Sequence, residues 1–175
     1  MRTLISLAVL LVLGGILGAG PATVPATRPS LKLTDKQILA GYEITLNASQ
    51  TREGLPRRVG TIRAADGSRV SIAIIGEEGH PVMISLPGMT LVPGALEGNS
   101  GTLMVAQTIF CNVVVAENEQ DQFKRLVRDL VDAIKTRRDE VSRDFGDVRV
   151  VLEVMMPQTN ANYIDVTLTL TPKPG

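Results

Sequence analysis

The residues best suited to chemistry by type and spacing lie in the stretch GEEGHPV, which contains Glu77, Glu78 and His80. Carboxylate and imidazole groups bind divalent transition metals, so these three residues could supply one side of a metal site. A site built from several histidines is excluded, because His80 is the chain's one histidine. A polar turn before Pro81 explains the same residues without a metal. The sequence therefore predicts no metal, with these three as the candidate ligands.

Motifs for catalysis or cofactor binding are otherwise missing, so no catalytic residue and no cofactor is predicted. Cys111, the one cysteine, lies in the apolar run LMVAQTIFCNVVVAEN and is predicted to be a small buried hydrophobic residue. The segment GALEGNSG lacks the lysine and the following helix that phosphate binding requires, and it is predicted to be a loop. One alternative stays open: Glu77, Glu78, Glu153 and Asp165 could meet in a pocket.

Composition excludes nucleic acid as a partner. The chain carries 18 basic and 18 acidic side chains, so it has no net charge to attract nucleic acid or an anionic membrane. It has no tryptophan, two tyrosines and three phenylalanines, which argues against aromatic platforms that stack bases or sugars. A core must then be built from aliphatic residues.

The first residues have the layout of an export signal. Arg2 supplies a basic start, and residues 4–20 are apolar or small. Gly20 and Ala22 satisfy the small-residue rule for cleavage before Thr23, and Val24 and Ala26 fit less well a cut before Thr27. We therefore expect residues 1–22 to be a signal peptide, which places the protein in the periplasm or outside the cell. The alternative is an uncleaved anchor that attaches the protein to a membrane through the apolar segment.

The rest of the chain divides into a tether and one domain. Residues 23–33 are rich in proline, alanine and threonine and are predicted to be an extended tether. Residues 34–175 are predicted to form a single domain, which opens with the capping-box spacing of Thr34 and Gln37.

Alternating apolar and polar residues predict most of the strands. The pattern occurs in residues 42–47, on both sides of a hairpin turn at Asp66-Gly67, in HPVMISLP, which Pro87 and Gly88 close, and in two strands near the end of the chain. The apolar run 102–116 is predicted to be a long, central or bent strand, or one covered by a helix.

A single long amphipathic helix is predicted from Asn118 to Gly146. Its apolar stripe consists of Phe123, Leu126, Val127, Leu130, Val131 and Ile134, and Val141 and Phe145 continue it. The predicted fold class is therefore α+β, a mostly antiparallel sheet with one long helix packed on one face.

Two segments resemble the β-hairpins of secretin-type domains, over about 50 of the 175 residues. The matching residues are Pro56, Arg57, Val59, Ser71, Ile72, Gly76, Glu77 and Pro81, then Leu152, Val154, Pro157 and Gln158. The resemblance implies a secretion or envelope-assembly module without catalysis.

The sequence as a whole predicts an exported, non-enzymatic protein that binds another envelope protein or associates with itself. The alternative class is a small exported hydrolase or ligand-binding domain that uses the carboxylates named above.

Overall fold

The computed structural model describes residues 29–92, 100–115, 117–155 and 163–175. The predicted signal segment, most of the tether, most of GALEGNSG, Pro157 and Gln158 lie outside these ranges.

Seven strands and three helices make up the described part of the chain. The strands are β1 (Asn47–Gln50), β2 (Pro56–Arg63), β3 (Arg69–Glu77), β4 (His80–Leu91), β5 (Glu140–Phe145), β6 (Val148–Met155) and β7 (Ile164–Pro172). The helices are α1 (Asp35–Ile38), α2 (Gly101–Val113) and α3 (Glu119–Lys135). The fold class is α+β, as predicted.

The strands form one sheet in the order β1-β2-β3-β4-β7-β6-β5, and every neighbouring pair is antiparallel. Strands β1 to β4 follow one another directly, and the chain then passes through α2 and α3. Strands β5, β6 and β7 return from the other edge, so that β7 lies between β4 and β6. The last strand is therefore central.

The hydrophobic core lies between one face of the sheet and the helices. The sheet supplies one side of this core through every second residue of its strands. In β7, for example, buried residues alternate with half-buried ones, as its sequence pattern predicts. The fully buried members include Ile62, Ile72, Ile74, Ile84, Leu86, Leu168 and Leu170 from the sheet and Ile109, Phe110, Leu126 and Leu130 from the helices. The alternation predicts Ile72 and Ile74 of β3 on the core side, and both are buried. It predicts the same for four residues of β7, which are also buried: Ile164, Val166, Leu168 and Leu170.

The prediction of a single long helix from Asn118 to Gly146 is wrong, because two shorter helices, α2 and α3, cover the sheet. The run predicted as a strand is helix α2, whose N-cap Ser100 accepts a hydrogen bond from the Leu103 amide. Helix α3 ends at Lys135, and Arg137 then turns the chain with φ 55°. The continuation of the apolar stripe therefore lies on edge strand β5 instead of the helix.

Helix α3 begins after Asn118, the residue that the sequence predicts as its N-terminal cap, but without the expected capping hydrogen bond. The backbone of Asn118 has φ 58°. On a helix that continued to Gly146, Asp139 and Arg143 would be four residues apart, and the sequence predicts an ion pair between them. This pair does not form, because Arg143 lies on β5 and binds Asp129 of α3 at 2.5 Å.

Two predicted strands have different limits. Pro87 and Gly88 do not end β4, which continues to Leu91 through a bulge between Leu86 and Met89. The predicted strand at 42–47 pairs only from Asn47 onward. Residues 42–46 instead cross above Gly60 of β2, where a Cβ atom would lie 3.0 Å from the Thr45 carbonyl oxygen.

Helix α1 is fixed to the sheet by a bidentate ion pair. The predicted capping box of Thr34 and Gln37 is confirmed, and it starts the helix at Asp35. Arg58 of β2 donates from Nε and Nη2 to the two Asp35 carboxylate oxygens, at 2.5 and 2.9 Å. Its Nη1 donates to the Gly76 carbonyl at 2.7 Å, so one side chain joins α1, β2 and β3. Bidentate pairs of this kind are geometrically specific.

Candidate interaction surface

One face of the sheet packs against the helices, and the other points away from them. We call the second one the open face. Its residues, read from the strand register, are Asn47, Ser49, Arg57, Val59, Thr61, Arg63, Arg69, Ser71, Ala73, Ile75, Met83, Ser85, Thr90, Asp165, Thr167, Thr169, Thr171, Arg149, Val151, Glu153, Met155, Glu140, Ser142 and Asp144.

The middle of the open face is built from small side chains. Val59, Ala73, Ser85, Thr169 and Val151 lie side by side in one row across five strands. None of them carries a charge, and none projects far from the sheet. A flat partner can therefore approach this row closely without having to desolvate a charged group.

Arginines stand on the β2–β3 half of the open face. The alternation in the hairpin predicts Arg63 and Arg69 on its solvated side. They are directly opposite each other in the register, and both are exposed. Like charges that face each other across two strands destabilise the pair. Arg57, on the same half, is also exposed. Three exposed guanidinium groups therefore carry the basic charge of this half, and those of Arg63 and Arg69 repel each other.

Carboxylates stand on the β5–β6 half. Glu140 and Glu153 are directly opposite each other, again a like-charged pair, and both are exposed. Nearby, Asp144 accepts from Arg149 Nε at 2.8 Å and lies 3.6 Å from the Lys173 ammonium. The hydrogen bond from Arg149 lowers the pKa of the Asp144 carboxyl, and the same contact raises the pKa of Arg149, with a further contribution from Glu140.

These two halves give the open face opposite charges at its two sides. Arg149 and Lys173 offset two of the three carboxylates Asp144, Glu140 and Glu153, and Glu140 itself interacts with Arg149. The β5–β6 half therefore keeps a net charge of one carboxylate. The structure therefore presents a polar, small-residue centre between a basic flank and an acidic flank.

The candidate metal ligands lie at the β3–β4 hairpin. Glu77 and His80 pair across it, Glu78 occupies the turn, and all three are exposed. Among the residues that the structure describes, no group of three or more histidine, cysteine, aspartate or glutamate side chains is arranged to hold a metal ion.

The four carboxylates of the alternative hypothesis are not brought together. Glu153 and Asp165 are on neighbouring strands at diagonal positions, and Thr90 Oγ1 donates to Asp165 at 2.8 Å. Glu77 and Glu78 lie at the far end of the strands, at least roughly 20 Å away by strand rise. The two near carboxylates sit on the open face instead of in a cleft.

Cys111 is half-buried on α2 beside the core. Burial raises the pKa of its thiol, and the nearby charge of Glu119 adds to that effect. The thiol therefore stays protonated at neutral pH, which is the opposite of what a nucleophilic cysteine needs.

A groove of about 880 Å³ lies beside α1, lined by the helix and the extended segment up to Leu46. Its carboxylate Asp35 is already engaged by Arg58. The groove contains Lys36, Tyr42 and Glu43, and none of the residues that the sequence singled out for chemistry lines it.

Sequence reasoning missed the two like-charged pairs. The sequence predicts Arg63 and Arg69 on the solvated side, but not opposite each other. It predicts Glu140 within a helix, so the position of Glu140 opposite Glu153 on β6 does not follow from it. The signal that would have found it is the alternation of Val141, Arg143 and Phe145 with polar residues, which is also a strand pattern.

In the described ranges, no helix has both the length and the apolar character that a membrane span requires. Comparisons with protein-family models, curated proteins and solved structures found no match to this chain.

Proposed function

We propose that this chain is an exported, non-enzymatic protein that binds or assembles with a protein partner of the cell envelope, including a second copy of itself, through the open face. The observation that carries the proposal is the presence of two like-charged contacts on a sheet face that the described helices leave uncovered. A bound protein of complementary charge would relieve both repulsions.

The chemistry of the candidate residues supports a binding role over an enzymatic one. The Cys111 pKa is raised, which does not favour a nucleophile. The carboxylates proposed for a hydrolase are spread over the open face and the far hairpin. General acid–base chemistry requires such groups to converge on one reacting centre.

Site-specific photocrosslinking in the producing cell tests the binding role. A benzophenone amino acid is placed at Thr169, in the centre of the open face, and in a matched variant at Arg128, which is exposed on α3. We expect a discrete protein crosslink from position 169 and none from position 128. The absence of a crosslink from position 169, or equal crosslinks from both, would contradict the proposal.

Export has a separate test, the intact mass of the native protein from the soluble and membrane fractions. We expect a chain that begins at Thr23 in the soluble envelope fraction. A full-length chain in the membrane fraction would indicate an uncleaved anchor, and a full-length chain in the cytoplasm would contradict export.

A further inference from the structure

We propose that the partner of the open face is a second copy of this chain, docked face to face about a twofold axis that runs parallel to the strands between β4 and β7. The inference rests on the proposed function of the open face as a binding surface, and it identifies the occupant.

The sheet order and the charges select this axis. Rotation about a line between β4 and β7 places β4 against β7, β3 against β6 and β2 against β5 of the second copy. Arg63 and Arg69 then lie over β5 and β6 of the second copy, two residues or about 7 Å along the strands from Glu140 and Glu153, which the extended arginine and glutamate side chains can span. The register position of Arg57 corresponds to that of Asp144. Because the axis is twofold, the same contacts occur twice, as an isologous interface requires.

The same rotation relieves both repulsive pairs at once. In a single copy, Arg63 repels Arg69, and Glu140 repels Glu153. In the dimer each pair lies over the strands that carry the pair of the other sign, offset from it by about two residues along those strands. Opposite charges across an interface fix its register and suppress wrong orientations. A parallel arrangement with like flanks together would add repulsion instead.

Small residues at the centre fit close packing of two sheets. The rotation brings Ser85 against Thr169 and Ala73 against Val151 of the second copy, with Ile75 and Met83 supplying apolar area beside them. Sheets that pack face to face keep their strands within about 30° of each other, which leaves each half of the open face over the opposite half of the partner.

The area of the open face is that of a stable interface. Six strands of each copy, all but β1, overlap under this rotation. At about 4.8 Å for each strand they cover about 29 Å, and eight residues at about 3.4 Å each span about 27 Å. The product is about 800 Å² for each copy, the usual contribution of one partner to a specific complex. The helices of both copies remain on the outside.

Charge reversal with sedimentation velocity tests the dimer. One variant carries Arg63→Glu with Arg69→Glu, and the other carries Glu140→Arg with Glu153→Arg. We expect the unaltered protein, purified as its host produces it, to be a dimer at low salt, with at least a tenfold weaker association in each variant alone. An equimolar mixture of the two variants should restore a dimer, because both flank-to-flank contacts then pair opposite charges. The two reversed flanks meet each other, and the two native flanks meet each other.

A matched control reverses two arginines away from the open face. Arg125→Glu with Arg128→Glu on α3 makes the same change in net charge, and both positions are exposed. This variant should dimerise as the unaltered protein does. Circular dichroism melts verify that each variant folds, and we expect the dimer to weaken as salt screens the paired charges.

A monomeric unaltered protein, or variants that are both monomeric and fail to associate when mixed, would overturn the dimer. Failure here is distinguishable from failure of the proposed function. A monomer that still crosslinks from Thr169 to a different protein contradicts the second copy but retains the open face as a binding surface. A monomer without any such crosslink contradicts both.

Discussion

Asp66 joins a hairpin turn to a distant helix. One carboxylate oxygen accepts from the Ser68 amide at 2.9 Å and from its hydroxyl at 2.6 Å, and the other accepts from the Gly101 amide at 2.8 Å. The carboxylate thus lies at the first turn of α2, where negative charge is favoured. A side chain at Gly101 would collide with it, since a Cβ atom there would fall among the Asp66 carboxylate atoms.

These contacts predict a pH-dependent role for Asp66. The hydrogen bond from the Ser68 hydroxyl, followed by the amides of Ser68 and Gly101, lowers the pKa of Asp66 in the folded protein. A lowered folded-state pKa stabilises the protein above the unfolded-state pKa of about 4, and this stabilisation is lost as the pH falls through the folded-state value. Asp66→Asn should therefore unfold more readily at pH 7, and its deficit should shrink below about pH 4.

Urea unfolding of both proteins between pH 7 and pH 2 measures this difference in the free energy of unfolding. A deficit that stays constant over the whole range would show that the ionised carboxylate does not contribute, and it would contradict the prediction.

Gly76 predicts a large effect from a single methyl group. It has φ 112° at the bulge in β3, and a Cβ atom would lie 2.8 Å from the Val82 amide nitrogen and 2.9 Å from the His80 carbonyl oxygen. Gly76→Ala should lower the free energy of unfolding by about 3 kcal/mol, because backbone strain and a backbone clash add together.

Gly79 in the adjacent turn provides the matched control. It also has a positive φ, 82°, but no atom lies within 4 Å of the position that a Cβ atom would take there. Gly79→Ala should cost only about 1 kcal/mol. Thermal and urea melts of the two variants compare them, and equal losses would show that the close approach at Gly76 has no energetic effect.

At the scale of elements, Phe110 holds three of them together. Its ring on α2 lies 5.4 Å from the Phe123 ring of α3 and 5.2 Å from the Phe145 ring of β5, the latter edge to face. Phe110 is fully buried, whereas Phe145 is half-buried. Phe110→Ala should cost about 3–5 kcal/mol, and Phe145→Ala should cost less. Urea unfolding that ranks the two variants the other way would contradict this.

The sequence predicted the hairpin elements better than the helices. The Asp66-Gly67 turn and the alternation in β3, β6 and β7 depend on neighbouring residues, so they can be read locally. Helix α2 cannot, because its Val, Ile and Thr content favours a strand. Its start is determined by Ser100 together with a carboxylate 35 residues away in the chain, a contact that exists only in the fold.

The predicted end of α3 was wrong for a related reason. Val141 and Phe145 fit both a helical stripe and a strand, since they are four residues apart with one residue between them on the same strand face. The break at Arg137, a non-glycine residue with positive φ, has no clear sequence signal. Because β5 was read as helix, half of the open face's charge pattern was missed with it.

At the scale of the molecule, the sheet is stabilised unequally from edge to centre. Strand β1 has four exposed residues and pairs on one side, whereas β4 and β7 pair with each other and with a further strand on each side. Amides in partly isolated edges open at low free-energy cost. Hydrogen exchange measured by mass spectrometry should therefore be fastest in β1 and slowest in β4 and β7. Protection of β1 equal to that of β7 would contradict this gradient.

The central position of β7 also has a consequence for the order of events during synthesis. Residues 164–172 emerge after all the other strands of this sheet. They form β7, which is one of the two strands that pair with β4. Until they emerge, β4 and β6 each present an unpaired edge, which invites association with other chains. The sheet thus cannot close stepwise from the first strand as the chain emerges from the ribosome or from an export channel. A chaperone that shields those two edges would act when most of the chain has emerged.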